Sequence, residues 1–137
     1  MFQSVADQFD LREPENLKPG QPITWYATRY LNQMSPGDIV YFWMGGKETE
    51  RGIYGWGTLT SGPYSESNWD SHGVDARVEV RFSQPLLARD MKRNNALAGL
   101  LILRQPQASN FLVEPDQARE LASAIRNADE VPPPMES

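Results

Sequence analysis

The chain has no cysteine and a single histidine, His72. That scarcity removes whole classes of chemistry before any motif is sought. Disulfides, thiol redox and a cysteine nucleophile are excluded outright. A structural zinc site takes four Cys or His ligands and a catalytic one usually at least two His, so neither a metal nor a cofactor is expected. A serine triad would need His72 as its base beside Asp70 and Ser71. Triads are assembled by the fold rather than by adjacency in sequence, so Asn68 to Gly73 reads as a polar surface loop. Long apolar runs are missing too. The longest, Leu97 to Leu103, is interrupted by Gly99 and falls far short of the roughly 20 residues that span a bilayer, so no membrane segment is expected. The opening MFQSVADQFDLRE lacks the basic start and apolar stretch of a secretory signal, which leads us to expect a cytoplasmic protein.

Phosphate-binding loops are also lacking. Gly45-Gly46-Lys47 has Tyr41 where a P-loop needs its first glycine, and Glu48 where it needs Ser or Thr. Gly52, Gly55 and Gly57 do not follow the dinucleotide pattern and lie inside a strand pattern rather than before a helix.

What is present suits one ordinary α+β domain: 137 residues, 39% hydrophobic and 10% aromatic, without internal repeats. Residues 1–22, punctuated by Pro14, Pro19 and Pro22, read as an irregular lead-in with one strand near Phe9 to Leu11. Residues 23–128 form the domain proper, and 129–137, with Pro132-Pro133-Pro134, read as a disordered tail. Within the domain, Ala27, Tyr30, Leu31 and Met34 have the spacing of one helical face, so a helix starting near Trp25 is expected there. Asp38 to Met44 is apolar on both faces and predicts a central strand. Gly52 to Thr60 predicts a second, with Tyr54, Trp56 and Thr58 on one face. Its alternating glycines suggest that a backbone or a ligand comes close. Ala76 to Phe82 alternates cleanly and predicts a third. Pro85 to Leu97 is expected to be at least partly helical, Gly99 to Leu103 a strand or helix end, and Phe111 to Val113 a short strand. A closing helix starts at Pro115, with Ala118, Leu121, Ala122 and Ile125 on its inner face.

The net charge is −5, which at first sight disfavours a nucleic-acid partner. Its distribution weakens that objection. Glu114, Asp116, Glu120, Asp129, Glu130 and Glu136 face only Arg119 and Arg126, so the excess of acid lies in the last part of the chain. Conversely, Arg77, Arg81, Arg89, Lys92, Arg93 and Arg104 outnumber Glu79 and Asp90. This is either a modest basic patch or a solvated face of mixed charge.

Four segments, Trp25-Tyr26-Ala27-Thr28-Arg29-Tyr30, Pro36-Gly37-Asp38-Ile39-Val40-Tyr41-Phe42-Trp43, Arg51-Gly52-Ile53-Tyr54-Gly55-Trp56-Gly57 and Ser109-Asn110-Phe111-Leu112-Val113, occur in an order and spacing that resembles the EVE domain family. That family is a branch of the PUA-like superfamily, related to YTH and ASCH domains, and the resemblance spans roughly residues 23 to 127. It implies a PUA-like small mixed β-barrel flanked by short helices, a pocket suited to a modified nucleobase in DNA or RNA, and no catalytic residue. A base has flat apolar faces and polar edges, so its pocket needs aromatic walls and a few fixed polar groups. The candidates are Trp25, Thr28, Arg29, Trp43, Tyr54, Trp56, Ser109 and Asn110, with Arg77, Arg81, Arg89, Lys92 and Arg93 placed to meet the nucleic-acid backbone. The same residues also admit plainer uses: aromatics pack in cores and across strands, and Asn makes turns. Two other functions stay open at this point: a protein-interaction domain of this fold that does not bind a base, and a small hydrolase using Asp38 or Asp70 with water.

Overall fold

In the computed structural model, residues 1–4, 10–27, 30–65, 72–95, 97–100 and 112–134 are described. Strand β3 (Ile39–Met44) organises them. Its alternate residues serve two separate cores. Val40, Phe42 and Met44 enter one cluster, while Tyr41 and Trp43 enter the other. A strand that divides two cores must be apolar on both faces, which is why the run from Ile39 to Met44 holds only aliphatic and aromatic side chains and Met44.

Around β3 the sheet has the order β1 (Phe2–Ser4), β3, β4 (Gly52–Leu59), β6 (His72–Leu87), β2 (Pro22–Ala27), with β5 (Tyr64–Ser65) also paired to β6. β1 runs parallel to β3 and the other pairs are antiparallel. The two outer strands then approach each other. Phe2 of β1 stacks on Trp25 of β2 with ring centroids 5.6 Å apart at 21°, and Trp25 also leans on Phe42 at 5.8 Å. This aromatic seam curls the sheet into a nearly closed mixed barrel, so that little strand edge is left unpaired.

The barrel interior holds Phe2, Leu11, Leu17, Ile23, Trp25, Phe42, Tyr54, Val74 and Val78. The other face of the sheet is covered by α1 (Ala88–Met91) and α2 (Pro115–Asn127), which contribute Ala88, Met91, Leu121 and Ile125 to the second core beside Trp43 and Trp56. Helix α2 starts as its sequence predicts, with Pro115 in its first turn and the Glu114 amide donating to Gln117 Oε1 at 3.1 Å. Its end is less orthodox. Asp129 takes the left-handed conformation (φ 60°), while the amides of Asp129 and Glu130 donate to the carbonyls of Arg126 and Ile125 at 3.0 Å each. This is a Schellman turn with aspartate where glycine usually sits. Asp129→Gly is therefore expected to raise stability by up to about 1 kcal/mol, readable as a higher urea midpoint with an unchanged slope.

Several expectations are corrected. The region read as a helix from Trp25 to Met34 is strand β2 followed by a 3-10 turn, Leu31–Gln33. The deciding pattern was alternation: Ile23 and Trp25 are buried and Pro22 and Thr24 exposed, as the pairing with β6 requires. The lead-in supplies a real strand at Phe2–Ser4, whereas Leu11 lies in a turn and is fully buried. Pro85 to Leu97 is partly helical, as expected: among the described residues the helix is Ala88–Met91, because β6 runs on to Leu87 to pair with Gly52. His72 and Gly73, read as loop, open β6, and Leu112 and Val113, read as strand, are irregular. The rest of the expected loop from Asn68, together with Phe9, Phe111 and residues 101–103, lies outside the described residues.

The glycines of β4 answer to a backbone. A Cβ on Gly52, Gly55 or Gly57 would lie 2.2 to 2.3 Å from a carbonyl oxygen of β6, from Leu86, Val80 and Arg77 respectively. β6 crosses β4 that closely because the register between them shifts twice, between Ile53 and Gly55 and between Trp56 and Gly57.

Candidate nucleobase pocket

The shift at Tyr54 also decides where the aromatic side chains go. Opposite β3, Phe42 pairs with Gly55 and Trp43 with Ile53, leaving Tyr54 as the extra residue of a bulge. Alternation breaks there. Tyr54 turns into the barrel interior, where its hydroxyl donates to the Glu50 carbonyl at 2.6 Å, while Trp56 enters the second core and its indole donates to the Val131 carbonyl at 2.9 Å. The candidate aromatics thus divide between the two sides of the sheet. Trp25 and Tyr54 lie inside the barrel, and Trp43 and Trp56 lie under the helices. Trp43 is fully buried beneath the Arg51 guanidinium, 5.7 Å from its ring, and its indole nitrogen has no partner among the described residues.

A cavity of about 280 Å³ opens where β1 and β3 meet α2 and the Leu31–Gln33 turn. It is at the small end of ligand pockets, roughly 300–1,000 Å³. Its walls are largely apolar and aromatic: Phe2, Tyr30, Met34, Ile39, Tyr41, Leu112, Val113 and Pro133 line it, with Gln33 and Asp38 among the polar residues. Asp38 is engaged in its turn, where its carboxylate accepts from the Ser35 amide at 2.9 Å. Tyr30 reaches its place through a left-handed backbone (φ 59°), rare for a bulky residue and a marker of functional sites when the surroundings hold it.

Tyr41 is the polar group that stands out. Its side chain is 4% exposed and lines the cavity, yet its hydroxyl has no hydrogen-bond partner among the described residues. Burial pushes its pKa up to about 12, so it stays a neutral phenol across the physiological range, able both to donate and to accept.

Of the residues singled out in the sequence, Trp25 stands directly behind this cavity, because Phe2, on which it stacks, forms part of the wall. Thr28, Arg29, Ser109 and Asn110 lie outside the described residues. Tyr30, next to Arg29, and Leu112, two residues after Asn110, both line the cavity. Trp43, Tyr54 and Trp56 do not line it. None of the described pocket candidates is itself a wall residue, and Phe2 and Tyr41 are the aromatic wall residues that the two strands supply. Phe2 sat in a segment read as irregular, and Tyr41 in a strand whose two apolar faces give no sign of which one opens.

The basic candidates are held in different ways. Arg81 donates to the carbonyls of Leu11 and Arg12 at 2.7 and 3.0 Å, pinning the lead-in segment to β6. Arg77 pairs with Glu79 at 2.8 Å, and that contact, with a Thr58 hydrogen bond, holds the Glu79 carboxyl below its usual pKa. Lys92 faces Glu48 at 3.6 Å and Arg93 faces Asp90 at 3.9 Å, whereas Arg89 has no acidic partner among the described residues. α1, which carries Arg89, abuts the far end of the β3–β4 pair, its Ala88 amide donating to the Arg51 carbonyl at 2.8 Å. The cavity lies at the near end, by Asp38 and Leu59. At about 3.3 Å per residue, the length of β3 puts roughly 20 Å between them.

A family model for the EVE domain matches residues 2–124. Solved structures share the fold at low identity. A hypothetical protein from Leishmania major superposes with a TM-score of 0.75 at 17% identity, covering 94% of each chain. Protein PSPTO5229 from Pseudomonas syringae gives 0.72 at 19%, covering 90% of this chain and 96% of that one. Human THYN1 protein, solved in complex with 5-methylcytosine containing DNA, gives 0.71 at 14%, covering 90% and 94%. No functionally curated protein matches the sequence. The barrel is the PUA-like fold implied by the four sequence segments.

Proposed function

Because the chain belongs to the EVE domain family, we propose that it is a binding module that takes a modified nucleobase of DNA or RNA into the cavity beside Tyr41, without chemistry on the ligand. The observation that carries this reading is the cavity itself: apolar and aromatic walls around the Tyr41 side chain, whose neutral hydroxyl has no partner among the described residues. That combination suits a flat, uncharged group with a polar edge, and suits a phosphate poorly. The 5-methylcytosine DNA held by the human THYN1 relative supports the same class of ligand. Arg29 is next in sequence to the lining Tyr30, and Thr28, Ser109 and Asn110 lie two or three residues from Tyr30 or Leu112; all four are proposed to supply the remaining edge contacts. Trp25 supports the wall through Phe2, and Trp43, Tyr54 and Trp56 act as packing. Arg89, Lys92 and Arg93 would meet the backbone some 20 Å away, about six base steps at 3.4 Å each, and so contribute affinity without reading the base.

A screen of oligonucleotides carrying unmodified, methylated and hydroxymethylated bases tests this. One modified base should bind better than its unmodified counterpart. Tyr41→Phe should weaken that complex about 3- to 10-fold, the worth of one neutral hydrogen bond, and leave the unfolding midpoint unchanged or slightly higher, since the hydroxyl has no partner to lose among the described residues. If no oligonucleotide binds, the protein-interaction reading of the fold gains. If the base is converted during incubation, the hydrolase reading gains.

A further inference from the structure

We infer that Pro133 and Pro134 are specificity-determining residues of the cavity, held in place by Glu130 as a clamp. This rests on the cavity being the base site. The segment lies beyond the 2–124 stretch matched by the family model, yet it forms part of the cavity wall. The sequence reads this stretch as a tail, but hydrogen bonds hold it at Glu130 and Val131, and Pro133 beyond them is buried.

The Schellman turn at Asp129 reverses the chain out of α2. Glu130 then accepts, through one carboxylate oxygen, from the amides of Ser83 and Gln84 at 2.9 and 3.2 Å and from the Ser83 hydroxyl. One residue further, the Val131 carbonyl accepts from the Trp56 indole. Pro133 is buried against the barrel as a result, although Val131 between these anchors is 61% exposed.

A wall of this kind sets which base fits, and its chemistry favours that role. Proline loses little entropy on ordering and has no amide proton to leave unpaired, so it closes an apolar cavity at low cost. The cavity is small, so displacing a proline changes the largest substituent it admits. Cytosine with a methyl group at position 5 should fit the closed wall, and cytosine bearing a glucosylated hydroxymethyl group should not.

The test uses the full chain and its Glu130→Ala and Pro133→Gly variants. Exchange of the Glu130 and Val131 amides and of the Trp56 indole proton reports whether the segment is released. Titrations with oligonucleotides carrying cytosine, 5-methylcytosine or glucosylated 5-hydroxymethylcytosine report selectivity. The unaltered protein should prefer 5-methylcytosine over the bulky base. Each variant should exchange faster in the segment and cut that preference at least tenfold, with the bulky base gaining affinity. Faster exchange with an unchanged preference would overturn the inference and leave base reading intact. Unchanged exchange in Glu130→Ala would overturn the clamp. A protein that binds no oligonucleotide with base preference would overturn both base reading and this inference.

Discussion

Trp25→Ala is expected to destabilise the protein by about 3–5 kcal/mol, the usual cost of deleting a buried tryptophan side chain. Trp25 is 8% exposed and sits between Phe2 and Phe42, so its removal opens the seam that joins the outer strands of the barrel. A ligand-stacking tryptophan behaves differently. Its deletion costs about 1–3 kcal/mol of binding per base and little stability. Urea unfolding separates the two roles, and a midpoint within error of the unaltered protein would show that Trp25 faces the ligand rather than the core. Because Phe2 lines the cavity, the variant that remains folded should also bind more weakly, and Trp25→Phe should recover part of both losses.

Gly57→Ala is expected to cost about 3 kcal/mol, at the upper end for overpacking. The added Cβ would lie 2.2 Å from the Arg77 carbonyl oxygen and 3.1 Å from Cε2 of Phe42. The first neighbour is backbone in a paired strand, so relief requires β4 and β6 to separate. Gly62→Ala provides the control, since its nearest heavy atom is 3.9 Å away, and it should stay within about 0.5 kcal/mol of the unaltered protein. Equal midpoints for the two variants would mean that β4 and β6 are not in close contact at Gly57.

The strands were legible where burial alternates or where both faces are apolar, as at Ile39–Met44 and Ala76 to Phe82. The β4 glycines correctly announced a close approach. The bulge at Tyr54 was not legible, because an extra residue in a strand depends on the partner's register, which a one-dimensional pattern does not carry. The spacing of Ala27, Tyr30, Leu31 and Met34 mimics a helical face by chance and draws Trp25 into it, while the competing alternation of Ile23 and Trp25 is too short to decide without β6. At the cavity, the resemblance led to the chain neighbours of Tyr30 and Leu112, but Phe2 and Pro133 come from the two segments whose composition suggested irregular chain. A few polar and proline residues conceal ordered chain when its partners are distant in sequence.

The central claim is that the cavity beside Tyr41 receives the base. Methyl NMR during titration with a 5-methylcytosine oligonucleotide tests it most directly, because Met34 and Leu112 line the cavity while Met91 is buried at the far, basic end. The account predicts saturating shifts at the methyl groups of Met34 and Leu112, with Met91 nearly still and the shifts much smaller for the unmodified oligonucleotide. Saturable binding that leaves Met34 and Leu112 unmoved, or that moves Met91 alone, would contradict it.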